Sequence, residues 1–270
     1  MQPQLFRFDL GYDGTEFAGS QRQPGRRTVQ GVLEAALQQL TGRSVVLVLA
    51  GRTDRGVHAV GQVASGDILW RHPTADLARA LNAVLPSDLV VYQVRRAPPG
   101  FHARRSARYR EYRYRLWVGS EPPLLLRRYV WHVRGTLDLG AMSRAAGVLL
   151  GTHDFRSFAG KGVGVPGADR RTVRKVSLAD WVELECTFDR AAAEARLLEF
   201  RIGADAFLPR MVRNIVGAMV VIGGALRPPD WIAELLKAGD RRAAPAPAPP
   251  QGLVLWRVEY PGDGLANHTW

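Results

Sequence analysis

Cysteine, lysine and long apolar runs are scarce in this sequence of 270 residues, and each shortage narrows what the chain does. The single cysteine, Cys186, has no partner for an internal disulfide, which fits a reducing compartment. The chain enters a strand-like segment, Phe6-Arg7-Phe8-Asp9-Leu10, with no signal peptide ahead of it, so the expected location is the cytoplasm. The longest apolar stretch, 215–226, is shorter than the ~20 residues of a membrane helix, and Arg213 stands just before it. A buried helix is the better account, and no membrane partner is expected. Neither His58 nor His153 has a neighbouring His or Cys at ligand spacing, so no metal site is expected. Gly160-Lys161-Gly162-Val163-Gly164 lacks P-loop spacing and reads as a mobile, basic loop near a substrate.

Arginine is what the chain has in plenty. Only Lys161, Lys175 and Lys237 are lysines, yet Lys and Arg together number 37 against 25 Asp and Glu, a formal net charge of +12. A GC-rich coding bias exchanges Lys for Arg, but it does not create an excess of positive charge. A polyanion is therefore the first partner to consider, since neutralising phosphates releases counterions. The excess is concentrated: Arg95, Arg96, Arg104, Arg105, Arg108, Arg110, Arg113 and Arg115 share one short stretch with a single acid, Glu111. Tyr109, Tyr112 and Tyr114 interleave with them, and aromatic faces beside guanidinium groups suit unstacked bases as well as phosphates.

The hydrophobic content of 46% and the absence of long charged tracts fit a folded globular protein. Phe6, Phe8 and Leu10 alternate with polar residues as a half-buried strand does. Thr28 then reads as an N-cap, Val29, Val32, Leu33, Ala36, Leu37 and Leu40 fall at helical spacing, and Gly42 is placed to end the helix. Strands at 44–50, 59–65 and 88–94 and a helix at 74–85 complete a β-α-β-β-α-β half, closed by the break Ala97-Pro98-Pro99-Gly100. The remainder gives strands at 107–118, 129–133, 172–188, 195–202 and 253–260, with helices at 137–150, 206–226 and 230–237. The Ala-Pro alternation of 241–251 reads as an extended surface linker outside the core.

The expected fold is α+β. Two similar β-α-β-β-α-β halves, ferredoxin-like or RRM-like, would form a mixed, mainly antiparallel sheet with helices packed on one side and a cleft between the halves. The expected division is 1–100, carrying an Asp loop, and 101–270, carrying a Tyr strand and an Arg helix.

In Gly51-Arg52-Thr53-Asp54-Arg55-Gly56-Val57-His58-Ala59, two glycines frame a carboxylate set between two arginines. Glycine adopts backbone angles closed to other residues, so Asp54 can be held on a tight loop. An isolated Asp in a loop is most often only a turn cap. Arg213, at the start of an apolar helix, needs a carboxylate or phosphate partner unless it reaches water along its own stem.

This segment resembles the signature of the TruA family of tRNA pseudouridine synthases. Three further stretches agree in the same order: Ser106-Ala107 leading to Tyr112-Arg113-Tyr114, Leu149 to Phe155 with Ser157-Phe158, and Ala206-Phe207-Leu208 leading to Met211-Val212-Arg213-Asn214-Ile215-Val216-Gly217. Gly252-Leu253-Val254-Leu255 also fits, so the resemblance covers nearly the whole chain. It implies an RNA-binding active-site cleft between the halves, and isomerisation of uridine to pseudouridine at positions 38, 39 and 40 of the tRNA anticodon stem-loop. It further implies that Asp54 is the catalytic nucleophile, that Arg213 pairs with it, and that Tyr112 contacts the substrate base. An isomerisation needs no cofactor, and the family suggests a homodimer with RNA lying across both subunits. Arg52, Arg104, Arg105, Arg108 and Arg110 are the candidates for phosphate contact, with His58 beside the substrate and supporting the Asp54 loop. A non-catalytic RNA-binding module would use the same basic, aromatic surface. A metal-dependent nuclease would need clustered carboxylates where the motif has one. Whether Asp54 adds to C6 of the base or to the sugar carbon stays open.

Overall fold

A computed structural model describes residues 2–160, 172–186 and 194–263; the expected basic loop after Gly160 lies outside the described residues. The elements run β1 (Gln4–Tyr12), α1 (Val29–Thr41), β2 (Val48–Leu49), β3 (His58–Ile68), α2 (Thr74–Val84), β4 (Leu89–Arg96) and β5 (Tyr109–Val118). They continue with β6 (Trp131–Val133), α3 (Leu139–Gly147), β7 (Gly151–Asp154), β8 (Val173–Leu184), β9 (Arg196–Ala204), α4 (Met211–Gly223), α5 (Trp231–Ala238) and β10 (Leu253–Glu259). The architecture is α+β, and pairing is mixed but mainly antiparallel, β5–β6 being parallel. Two compact units divide the chain: Met1–Arg110 with Leu255–Trp270, and Glu111–Val254.

In the first unit the strand order is β4-β1-β3-β10, with β2 on β3. Phe6, Phe8 and Leu10 bury themselves on one face of β1, as their alternation requires. Thr28 caps α1 by accepting from the Gly31 N–H, and Gly42 ends it in the left-handed region at φ 68°. Of the strand expected at 44–50, only Val48–Leu49 pairs with β3. The physical reason is competition from α1. The Leu47 N–H donates to buried Glu34, and its carbonyl accepts from Gln30, so helix side chains take the place of a ladder.

In the second unit the order is β5-β9-β8-β7, with β6 on β5. The helix expected at 206–226 is shorter at both ends. Arg210 before it and Ala225 after it sit at φ 62° and 59°, conformations that end an α-helix. The helix expected at 137–150 spans only Leu139–Gly147, and Gly151 opens β7 at φ 101°.

The expected surface linker at 241–251 is a correction. Ala248 is buried; its N–H donates to the Arg213 carbonyl at 2.9 Å, and its carbonyl accepts from Arg213 Nε at 2.7 Å. Tyr114 donates to the Pro249 carbonyl, and Arg241 to Asn214 Oδ1. Proline has no N–H to satisfy, so the Ala-Pro run can lie extended along α4 at little polar cost. Gly217 makes room for it: a Cβ there would stand 2.4 Å from the Ala246 carbonyl oxygen. In an open helix Gly→Ala stabilises by about 1 kcal/mol. Here Gly217→Ala is expected to destabilise by about 1–3 kcal/mol through overpacking, so the sign of the shift in denaturant midpoint decides the matter.

Candidate active site

Asp54 lies in the first unit on the loop between β2 and β3, half-exposed between buried Thr53 and exposed Arg55. Backbone groups on the approach to it are held by side chains from distant segments. The Ala50 carbonyl accepts from Arg110 Nε and Nη2 at 3.2 and 3.1 Å. The Gly51 N–H donates to Gln62 Oε1 at 3.1 Å, and the Gly51 carbonyl accepts from Gln62 Nε2 at 2.8 Å. The Thr53 N–H donates to Ser20 Oγ at 2.9 Å, the Ser20 N–H returns to the Thr53 carbonyl at 3.1 Å, and the Thr53 and Tyr12 hydroxyls lie 2.9 Å apart. Ser20 and Gln62 are fully buried. The Val57 N–H closes the turn onto the Asp54 carbonyl, with Gly56 at φ 77°.

Two close approaches fix the same loop from outside. A Cβ on Gly14 would fall 2.0 Å from the Val57 carbonyl oxygen, and one on Gly19, itself at φ 112°, would fall 2.9 Å from the Thr53 carbonyl oxygen. Only glycine lets the segment after β1 run against the loop so closely. His58 is buried, and its Nδ1 lies 3.0 Å from the Gly14 nitrogen and 3.1 Å from Asp13 Oδ1. One nitrogen cannot accept from Gly14 and donate to Asp13 at once. The backbone N–H can only donate, and Asp13 Oδ1 already accepts from Thr15, so Nδ1 is the acceptor.

Arg52, Arg104, Arg105 and Arg108 are exposed, whereas Arg110 is buried beneath the loop. In the second unit, Tyr112 is buried on β5 and meets Phe207 edge-on, centroids 5.0 Å apart. Arg213 is half-buried in the first turn of α4. The basic run is less one-sided than its sequence suggests. Buried Glu199 accepts from Arg113 at 3.3 Å, Arg115 at 2.8 Å and Arg201 at 3.0 Å, and Arg113 also reaches Glu111 at 3.0 Å. Sequence reasoning missed this carboxylate and the supports Tyr12, Ser20 and Gln62. Gln62 alone carried a signal, as a polar residue inside an apolar strand.

Burial pushes the Tyr12 phenol up to about 12, its hydrogen bonds to Thr53, Gln62 and Ser20 opposing the shift. Burial also raises Tyr114, against Arg213, and Tyr260, against Arg7. A phenol that ionises later when folded than unfolded supports the fold below pH ~10 and loses that support as pH rises through its folded value. Stability is expected to fall between pH ~10 and 12, by about 2–3 kcal/mol on account of Tyr12. Unfolding free energies across that range should show a shallower fall for Tyr12→Phe; parallel curves would refute the assignment.

Among the described residues no group of three or more His, Cys, Asp or Glu is arranged to hold a metal ion. Among them too, no helix is long and apolar enough to cross a membrane. A carboxylate held on a braced loop can serve covalent or acid–base catalysis. A family model described as tRNA pseudouridine synthase matches residues 11–109 and 145–261. A tRNA pseudouridine synthase A from Chloroflexus aurantiacus is 46% identical over 252 residues, covering 93% of this chain and 87% of the relative. Proteins of the same name from Solidesulfovibrio magneticus and a Geobacillus species are each 43% identical, over 97% and 93% of this chain and 93% and 96% of their own lengths. The chain belongs to the tRNA pseudouridine synthase family.

Proposed function

We propose that the protein isomerises uridine to pseudouridine in tRNA, with Asp54 as nucleophile, Arg213 as its ion-pair partner and Tyr112 as the platform for the loosened base. The observation that carries the reading is the braced Asp54 loop, inside a stretch that matches the family model. Catalysis by a carboxylate gains most when its position is set before the substrate arrives.

In the reaction the N1–C1′ bond breaks, a C5–C1′ bond forms, the C5 proton leaves and N1 gains a proton. Atoms balance without oxidant or reductant, so the isomerisation needs no redox cofactor. Arg213 sets a positive charge against the Asp54 carboxylate. Tyr112 stacks on the base and helps remove the C5 proton. Arg52, Arg104, Arg105 and Arg108 contact phosphates and keep the target nucleotide unstacked, which costs a few kcal/mol. His58 supports the loop. The same proposal includes substrate uridines on the 3′ side of the anticodon stem-loop, a homodimer and a cytoplasmic location. It also includes two ferredoxin-like halves, with the Asp loop in 1–100 and the Tyr strand and Arg helix in 101–270, and an RNA-binding cleft.

The test is release of tritium from tRNA carrying 5-tritiated uridine, since only departure of the C5 proton frees the label. Release by the parent protein in excess EDTA supports the reading. Binding without release would leave an RNA-binding module, and RNA cleavage would indicate a nuclease.

A further inference from the structure

Arg110 belongs to the basic run but not to its surface: it is only 8% exposed. Its Nε and Nη2 both donate to the Ala50 carbonyl, and Nη2 also reaches the Arg104 carbonyl at 2.7 Å. The peptide joining Ala50 to Gly51 is thereby gripped from both ends, its carbonyl by Arg110 and its N–H by Gln62. Rotating that peptide breaks both sets of bonds, and Asp54 follows it by three residues.

The second carbonyl belongs to a turn that is itself braced. The His102 N–H donates to Ser106 Oγ, the Ser106 N–H to the His102 carbonyl, and the Arg104 and Arg105 N–H groups to His102 Nδ1. The Ala103 N–H donates to Ser65 Oγ on β3, and Tyr260 donates to the Ala103 carbonyl at 2.7 Å. The turn presents the Arg104 and Arg105 side chains to solvent.

We propose that Arg110 is a positioning residue, not a phosphate contact: its guanidinium clamps the Asp54 loop to the turn that bears Arg104 and Arg105, so that RNA held by the turn meets a carboxylate in fixed register. The inference rests on the function proposed above. A planar fork can place parallel N–H groups on one carbonyl and a further N–H on another; an ammonium on a flexible stem cannot reproduce that geometry.

The experiment compares Arg110→Gln, Arg110→Lys and Arg104→Ala on unmodified tRNA transcript. It measures single-turnover rate at saturating tRNA, Kd, the salt dependence of Kd and circular dichroism. Arg110→Gln should lower the saturating rate about 100-fold, the scale of a misplacement near 1 Å, with Kd and salt slope retained. Arg110→Lys should recover about tenfold of that loss by keeping one donor for Ala50. Arg104→Ala should show the opposite signature, a weaker Kd and a salt slope lower by about one. The proposal is overturned if Arg110→Gln weakens Kd and lowers the salt slope at an intact saturating rate, for Arg110 then contacts phosphate. It is also overturned if neither the saturating rate nor the binding of Arg110→Gln changes, or if Arg110→Gln unfolds and the folded Arg110→Lys keeps the parental rate. A parent protein that makes no pseudouridine fails the functional reading itself; an active parent with an unchanged Arg110→Gln rate fails the positioning role alone.

Discussion

Asp54→Asn is expected to form no measurable pseudouridine, a loss of about 10⁴-fold or more in single-turnover rate, while binding unmodified tRNA as tightly as the parent. The substitution keeps the size and shape of the side chain and removes its charge. Other groups hold the loop in place: Gln62, Ser20 and Arg110 fix the backbone before Asp54, and Gly14 and Gly19 pack against the loop. Circular dichroism and melting temperature should therefore match the parent. A variant that keeps even a hundredth of the parental rate would assign the bond-making carboxylate elsewhere.

Arg213→Gln is the second large effect. It is expected to lower the saturating rate by about 10²–10³-fold, the usual cost of removing one aimed donor from a site where charge develops. Loss of the bond from Nε to the Ala248 carbonyl should lower stability by about 1.5–3 kcal/mol. The bond from the Ala248 N–H to the residue 213 carbonyl belongs to the backbone and survives the change, as does the bond from Arg241 to Asn214. Because the proposed partner is Asp54, Arg213→Lys should retain more rate than Arg213→Gln at low salt and lose that advantage as salt screens the pair. Equal rates for the two variants at every salt concentration would remove Arg213 from the reacting centre.

What the sequence made legible was local. Thr28 and Gly42 bracket α1 because capping depends on residues within a turn of the helix end. The alternation of Phe6, Phe8 and Leu10 marks β1 for the same reason. The Asp54 loop was legible as a motif, but its supports were not, since Gln62, Ser20 and Tyr12 reach it from 11, 33 and 41 residues away. Glu199, which gathers three arginines, is separated from Arg115 by 84 residues. The Ala-Pro segment misled because its composition is that of a linker, while its place is set by the missing side chain of Gly217. The burial of Arg110 was hidden in the same way: charge in a basic run reads as surface, and only the fold places the guanidinium against the Ala50 carbonyl.

The most direct measurement is site-resolved mapping of pseudouridine in an unmodified tRNA transcript after incubation with the purified protein in EDTA, run beside Asp54→Asn. New pseudouridine is expected on the 3′ side of the anticodon stem-loop with the parent protein and none with the variant. Uridine left unchanged by the parent, or the same modification made by both proteins, would contradict it.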